Sequence, residues 1–340
     1  MHFLITGHTG FKGAWLSLLL RERGHKVSGI SLEPETNSLF AKAALGNIFE
    51  NDIRCDIRVY EKLAAYFREV NPDVVIHLAA QALVRESYRD PITTYETNVM
   101  GTINVLKASQ SLPNLKAQLI VTTDKVYKNV DKSTGYVESD PLGGQDPYSA
   151  SKAMADIAVQ SWLASFDNVP TAIARAGNVI GGGDICKDRL IPELIDAFSL
   201  GHTPNLRSPN SIRPWQFVLD CLNGYLELIA ALLAGTGSGS WNFGPDHTKI
   251  RTVADVANFA GTLWGSSTNW ELDLGNHPHE ANLLILNAEK ARTKLGWQDK
   301  LSFEESIGWT INWYKNIHSG SDALKETLAN IRAFEEKASN

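Results

Sequence analysis

The stretch His2–Leu20 constrains this chain more than any other. A strand-length apolar run, His2-Phe3-Leu4-Ile5-Thr6, feeds the turn Gly7-His8-Thr9-Gly10-Phe11-Lys12-Gly13, and the turn feeds the helix-forming run Ala14–Leu20. Strand, glycine turn and helix in this order bring bare backbone N–H groups at a helix N-terminus up to a pyrophosphate. The spacing is G-x-x-G-x-x-G rather than G-x-G-x-x-G, and turns are glycine-rich for steric reasons alone. The triplet therefore takes its meaning from the rest of the chain.

Beyond the first helix, strand and helix patterns alternate. Lys26–Leu32 reads as a second strand. Glu33 stands about 20 residues beyond Gly13, where an acid would bond ribose hydroxyls, although Pro34 could aim it elsewhere. The absence of Arg and Lys between Val27 and Ala41 favours NAD over NADP. A short third strand over Asn51–Ile57 ends in Asp56-Ile57, and Arg58–Val70 has helical spacing. Asp73–Leu78 is a continuous apolar strand, the pattern of a parallel sheet covered on both faces. Its His77 reads as a satisfied core histidine, and Ala79-Ala80-Gln81 beyond it are small enough at first to let a ligand lie close. Thr93–Ser111 reads as one long helix in which Asn98 could bond buried backbone or water beside the site.

Gln118–Thr122 is a further strand, ending in Thr122-Thr123-Asp124-Lys125 at the edge where ligands of open α/β sheets gather. A long irregular stretch, 126–146, precedes a helix that starts near Pro147 and carries Tyr148 and Lys152. Strand Thr171–Arg175 leads into the glycine-rich run Ala176–Asp184. The pattern predicts an α/β fold, a doubly wound parallel sheet of Rossmann type with a smaller mixed α/β C-terminal lobe. The dinucleotide domain is expected over 1–178, with segments near 214–243 returning to it, and a substrate lobe over 179–340.

Composition removes other classes. Net charge is −6 and the basic residues are scattered, so no nucleic-acid footprint is visible. The three cysteines lack C-x-x-C spacing, which argues against a disulfide framework or a zinc site, and no metal is expected. Leu222–Ala234 is too short to span a bilayer and contains Glu227. The glycine turn breaks the first apolar run, so no secretory signal opens the chain, and a cytoplasmic protein without membrane partners is expected.

Tyr148 and Lys152 stand four residues apart on one helix and share a side. An ammonium near a phenol lowers the tyrosine pKa from about 10 toward neutrality. The pair could then remove a proton from a substrate hydroxyl while hydride leaves the same carbon.

With these residues in place, the chain resembles the extended short-chain dehydrogenase/reductases, in their nucleotide-sugar-modifying branch. The matching pieces are Gly7–Gly13, His77-Leu78-Ala79-Ala80-Gln81, Asn98, Tyr148-x-x-x-Lys152 and Arg175-Ala176-Gly177-Asn178. Within that branch Gly7–Gly13 with Trp15, Thr122–Tyr127, Pro141–Tyr148, Ile212–Asp220 and His277-Pro278-His279-Glu280-Ala281 are most similar to the CDP-glucose 4,6-dehydratase subfamily. The resemblance implies NAD held by Gly7, Thr9, Gly10, Phe11, Lys12, Gly13, Asp56, Ile57, Leu78, Ala79, Ala80, Asn98, Tyr148 and Lys152, with Lys12 over the phosphates. It implies a nucleotide-sugar substrate, and a homodimer built through the helices near Thr93–Ser111 and Tyr148–Phe166.

A 4,6-dehydration oxidises C4, which acidifies the C5 proton; a base removes that proton while an acid expels the C6 hydroxyl, and hydride returns to C6. Asp124 and Lys125 are the adjacent titratable pair placed for this, Lys125 as base and Asp124 as acid, with proton passage inside the pair also allowed. Many sugar dehydratases carry Asp-Glu here, and a lysine base must be neutral. Thr123 is expected on the sugar 4-oxygen. Arg213 is the first candidate for the diphosphate and Arg189 the second. Asn178, Arg85 and Gln81 are expected at the substrate, and Trp215 serves either as a pyrimidine platform or as core. The alternatives are a dehydratase for another nucleotide sugar, a 4-epimerase, and a silent NAD-binding regulator.

Overall fold

The computed structural model describes residues 1–167, 169–246, 251–266, 269–275 and 283–339. Seven strands form the main sheet: β1 (His2–Thr6), β2 (Lys26–Ser31), β3 (Asp52–Arg54), β4 (Val74–His77), β5 (Ala117–Val121), β6 (Thr171–Ala176) and Gly239–Phe243. Their spatial order is β3-β2-β1-β4-β5-β6 followed by Gly239–Phe243, and every pairing is parallel. This is the doubly wound order, and it reverses between β1 and β4.

Strand alternation sorts the core into two layers. Phe3, Ile5, Val74 and Ile76 pack with Trp15, Leu19 and Leu222 on one face. Leu4, Val75 and Ile120 pack with Leu63, Phe67 and Val159 on the other. Helices Phe11–Glu22 and Val218–Leu233 cover the first face; Tyr60–Val70, Gly101–Ser109 and Pro147–Ser165 cover the second. Among the described residues no helix is long and apolar enough to cross a membrane.

Short strands continue the chain beyond β6: β7 (Val179–Ile180), β8 (Asn205–Leu206) and β9 (Gln216–Phe217), with Gly239–Phe243 as β10 and Glu271–Leu272 as β11. β7 pairs with β9, and β8 with β11. Helices Leu190–Ser199, Val253–Trp264 and Phe303–His318 enclose a separate apolar cluster that includes Ile191, Phe198, Trp215, Val256 and Ile307. The last helix, Ala323–Ser339, returns to the main body: Ile331 and Phe334 join the large core, and Glu335 accepts from Arg23 at 2.7 Å.

Two local departures from the sequence pattern bear on the site. The segment read as one helix over Thr93–Ser111 is broken by a π turn. Helix Pro91–Tyr95 passes into the π segment Glu96–Met100 and resumes at Gly101–Ser109. Pro91 opens it, and the Asp90 carboxylate caps Thr93 N–H at 3.0 Å. In the glycine turn, His8 is fully buried and its Nε2–H donates to Asp52 Oδ1 at 2.7 Å. It fills the space beside Gly29, where a Cβ would lie 2.2 Å from the imidazole ring.

Candidate active site

A cavity of about 1190 Å³ opens where the strand order reverses, between the C-terminal edge of the sheet and the smaller lobe. The glycine turn forms its floor. Gly7 has φ +80°, and a Cβ there would lie 2.7 Å from Ala79 N just beyond β4. At Gly13 a Cβ would lie 2.2 Å from the Gly7 carbonyl oxygen. Gly10 precedes helix Phe11–Glu22 with no side-chain cap and no acid in the first turn, so the helix N-terminus is free to meet an anion. Thr9 Oγ1 meets Ser31 Oγ at 2.7 Å and so ties the turn to the end of β2. These features fit a dinucleotide pyrophosphate.

Of the candidate residues, Gly7, Thr9, Gly10, Phe11, Lys12, Gly13, Asp56, Ile57, Leu78, Ala79 and Ala80 line this one cavity. So do Gln81, Arg85, Thr123, Lys125, Tyr148, Lys152, Asn178, Arg189 and Arg213. Asn98 and Asp124 do not, and each has a physical reason. Asn98 is buried in the π turn, where its Oδ1 accepts from Gln81 N–H at 2.9 Å. Its Nδ2 donates to Gln81 C=O and to Ser151 Oγ, each at 2.9 Å. It braces the cavity wall from behind. Asp124 opens a 3₁₀ turn, Asp124–Val126, directly after the β5 edge. That turn presents Thr123 and Lys125 to the cavity and sends the Asp124 carboxylate inward beside Gly177, at 0% exposure. Asp124 Oδ2 has no hydrogen-bond partner among the described residues.

Four of the chemistry-bearing side chains form one line. Thr123 donates to Asp124 Oδ1 at 2.9 Å, and Lys125 Nζ donates to the same oxygen at 3.4 Å. Thr123 also lies beside the buried Tyr148 phenol and favours its ionised form. Asp146 and Pro147 start the helix that carries Tyr148, with the Asp146 carboxylate capping Ser149 N–H at 2.9 Å.

Burial dominates the titration of both Tyr148 and Lys152. Burial of the phenol pushes its pKa up to about 12, against a smaller lowering by Thr123. Lys152 turns to the Val121 carbonyl, donating at 3.3 Å. Burial, with Lys12 adding to it, brings the Lys152 ammonium down to about 8. Desolvation thus outweighs the shared helix side. His77 matches its reading as a core residue: its nitrogens meet Thr6 Oγ1 at 2.6 Å and Thr102 Oγ1 at 3.0 Å, and burial lowers its pKa to about 3.

Other placements refine the sequence reading. Lys12 does not reach out over the turn; its Nζ donates to Tyr225 Oη at 3.2 Å. Arg189 is held by Asp184 at 2.8 Å and faces Tyr148 closely enough to act on its titration. Arg213 donates to the Ile212 carbonyl at 2.9 Å, and Arg85 lies 3.4 Å from Asp188. Trp215 packs in the lobe core while its edge reaches the cavity. Sequence reasoning missed Arg54, which pairs with Glu33 at 3.2 Å and with Asp52. It comes from β3, opposite Ser31 in register, so a search along β2 alone passes it by. Arg207 and Glu193 were missed as well. The segment His277–Ala281 lies outside the described residues.

The sheet order and the glycine turn at its reversal define a nucleotide-binding enzyme fold of the extended short-chain dehydrogenase/reductase kind. The chain belongs to the GDP-mannose 4,6-dehydratase family, whose family model matches residues 4–310. It is 45% identical to a CDP-glucose 4,6-dehydratase of Salmonella typhimurium (strain LT2), over 94% of this chain and 92% of that one. It is 28% identical to a dTDP-glucose 4,6-dehydratase of Haemophilus influenzae, over 92% and 98% of the two chains. A crystal structure of a dTDP-glucose 4,6-dehydratase from Streptomyces venezuelae, with NAD bound, has the same fold: TM-score 0.80, 24% identity, covering 95% of this chain and 100% of that one.

Proposed function

We propose that this chain is an NAD-dependent CDP-glucose 4,6-dehydratase, converting CDP-D-glucose to CDP-4-dehydro-6-deoxy-D-glucose and water. The observation that carries the reading is the line of side chains Tyr148, Thr123, Asp124 and Lys125 at the ligand edge of the sheet, the last three joined by hydrogen bonds. An epimerase has no use for the second half of that line. The 45% relative supplies the CDP-glucose identity. Residues 1–178, with the returning segments near 214–243 and the last helix packed on them, hold the cofactor, and most of the remainder of 179–322 forms the substrate lobe.

NAD, when bound, would supply the hydride chemistry between C4 and C6. Gly7, Gly10 and Gly13 would hold its pyrophosphate, and the small side chains of Ala79 and Ala80 would leave room for it at the sheet edge. Thr123 donates to the Asp124 carboxylate and stands beside the Tyr148 phenol. A proton shifting from Tyr148 through Thr123 to Asp124 yields two useful groups at once. The phenolate takes the 4-hydroxyl proton, and the carboxylic acid holds the proton needed at C6. The Lys125 amine, on the cavity wall, takes the C5 proton. Because Asp124 is sealed from the cavity, its proton reaches the departing C6 hydroxyl through Thr123 or Lys125. Arg189 and Arg213 hold the diphosphate, with Asn178, Arg85 and Gln81 around the substrate.

The protein acts in the cytoplasm as a homodimer. Ile92, Met100, Met154 and Ile157 expose between 48% and 71% of their surface on the two helical segments expected at the contact. The test of the reaction is a panel of nucleotide hexoses, with products read by mass spectrometry and NMR. CDP-glucose is expected to give a product with a C6 methyl, deuterium from heavy water at C5, and the C4 hydrogen moved to C6. A product that keeps its C6 hydroxymethyl group refutes the dehydratase reading.

A further inference from the structure

A cytidine nucleotide differs from a uridine one only by atoms at positions 3 and 4 of the base, and from a thymidine one at those positions as well as at the C5 methyl and the 2′-hydroxyl. Cytosine offers an amino donor at C4 and an acceptor at N3; uracil and thymine offer a carbonyl at C4 and an N–H at N3. A carboxylate accepts and cannot donate. Set opposite C4, it bonds the amino group and repels the carbonyl.

The lobe wall of the cavity carries three carboxylates before β8: Asp184, Asp188 and Glu193. Asp184 is committed to Arg189 at 2.8 Å and to the backbone N–H of Cys186 at 3.1 Å. Asp188 lies between two guanidinium groups, 3.4 Å from Arg85 and 3.4 Å from Arg207. Glu193 stands beside Arg207, with Oε1 accepting from Nη1 at 3.0 Å, and both side chains are partly buried. Arg207 is itself fixed, because its Nη2 donates to the Asp188 carbonyl at 3.1 Å. Glu193 follows Arg189 by one helical turn, its N–H bonding the Arg189 carbonyl at 3.1 Å. Arg189 caps this helix and Glu193 stands in its first turn, so both side chains line the same wall of the cavity. A nucleotide whose diphosphate lies at Arg189 and whose sugar lies at Thr123 extends its base the other way, toward Glu193 and Arg207.

We infer that Glu193, held in place by Arg207, accepts from the 4-amino group of the cytosine base and sets the enzyme's choice of CDP-linked over UDP- or dTDP-linked sugars. Arg207 supplies a donor for N3 or O2 beside it. The inference rests on the CDP-sugar reading above and names the group that enforces it.

The test compares CDP-glucose with UDP-glucose, which differ only at positions 3 and 4 of the base. In E193Q the amide can turn an N–H toward a 4-carbonyl. The wild-type preference in kcat/KM is expected to fall by about tenfold or more, carried by KM. The dissociation constants of CDP and UDP, measured as non-reacting ligands, are expected to converge likewise. N4,N4-dimethyl-CDP, which lacks the amino donors, is expected to bind wild type as weakly as UDP and needs no variant. An unchanged ratio in E193Q, an equal loss for both nucleotides, or dimethyl-CDP binding like CDP overturns the inference. Wild type that binds CDP in preference to UDP yet turns over no CDP-glucose overturns the dehydratase reading and leaves the base-reading inference supported.

Discussion

Asn98→Ala separates the bracing of the cavity from its chemistry. Asn98 makes three hydrogen bonds at 2.9 Å, two to the Gln81 backbone and one to Ser151 Oγ, while 1% exposed. The alanine leaves the Gln81 N–H and C=O without their partners. A buried group stranded in this way costs about 1–3 kcal/mol. Gln81 is partly accessible, so the lower end applies to each group, and the Ser151 hydroxyl keeps its bond to the Tyr148 carbonyl at 2.7 Å. The sum is about 2–4 kcal/mol of stability. Gln81 follows the Ala79-Ala80 edge, so a loosened backbone there also weakens NAD binding. Urea unfolding gives the first quantity and a titration with NAD gives the second. Asn98→Asp keeps the acceptor for Gln81 N–H but loses both donors, and it is expected to fall between alanine and wild type. If Asn98→Ala unfolds at the wild-type midpoint and binds NAD unchanged, the bracing role is refuted.

Buried ionisable groups give two further expected outcomes. His77 is held neutral with its pKa lowered to about 3 in the fold, against an ordinary value of about 6.5 in the unfolded chain. The unfolded chain therefore takes the proton first, and this part of the stability is present above about pH 6.5 and is lost as pH falls toward 3. His77→Gln should flatten that acid slope in unfolding measured across the window. Asp156 and Arg175 form a buried pair at 2.7 Å, with exposures of 0% and 1%. Asp156→Ala strands the guanidinium and should cost about 3–5 kcal/mol in denaturant unfolding. A loss within error of zero would show that Tyr127, the Glu138 carbonyl and Ser240 satisfy Arg175 unaided.

The features legible in the sequence are those written in local periodicity. The glycine turn, the apolar strand at Val74–His77 and the helix opening at Pro147 each arise from a short pattern, and parallel order comes from their alternation. The features that were not legible depend on neighbours distant in sequence. Arg54 meets Glu33 because β2 and β3 are in register, and nothing along β2 announces it. The bonding of Asn98 to buried backbone was legible, but the π turn that carries it was not, because the spacing of that segment looks plainly helical. Glu193 and Arg207 face each other only after the lobe has folded.

The burial of Tyr148 and Lys152 has the larger consequence for the chemistry. A four-residue spacing states that two side chains share a side of a helix, not which atoms they reach. Lys152 is satisfied by the Val121 carbonyl, and the buried phenol keeps its proton near neutral pH. A base of that kind needs somewhere to send its own proton before it can take another. In the mechanism we propose, Thr123 and Asp124 provide that place, since the Asp124 carboxylate accepts from Thr123 at 2.9 Å. The transfer that would arm Tyr148 for oxidation at C4 would also arm Asp124 for elimination at C6. On that proposal one proton shift makes the acid and the base together, which gives a carboxylate shut away from the cavity a part in its chemistry. Lys125, on the open side of that carboxylate, is the group proposed to act at C5.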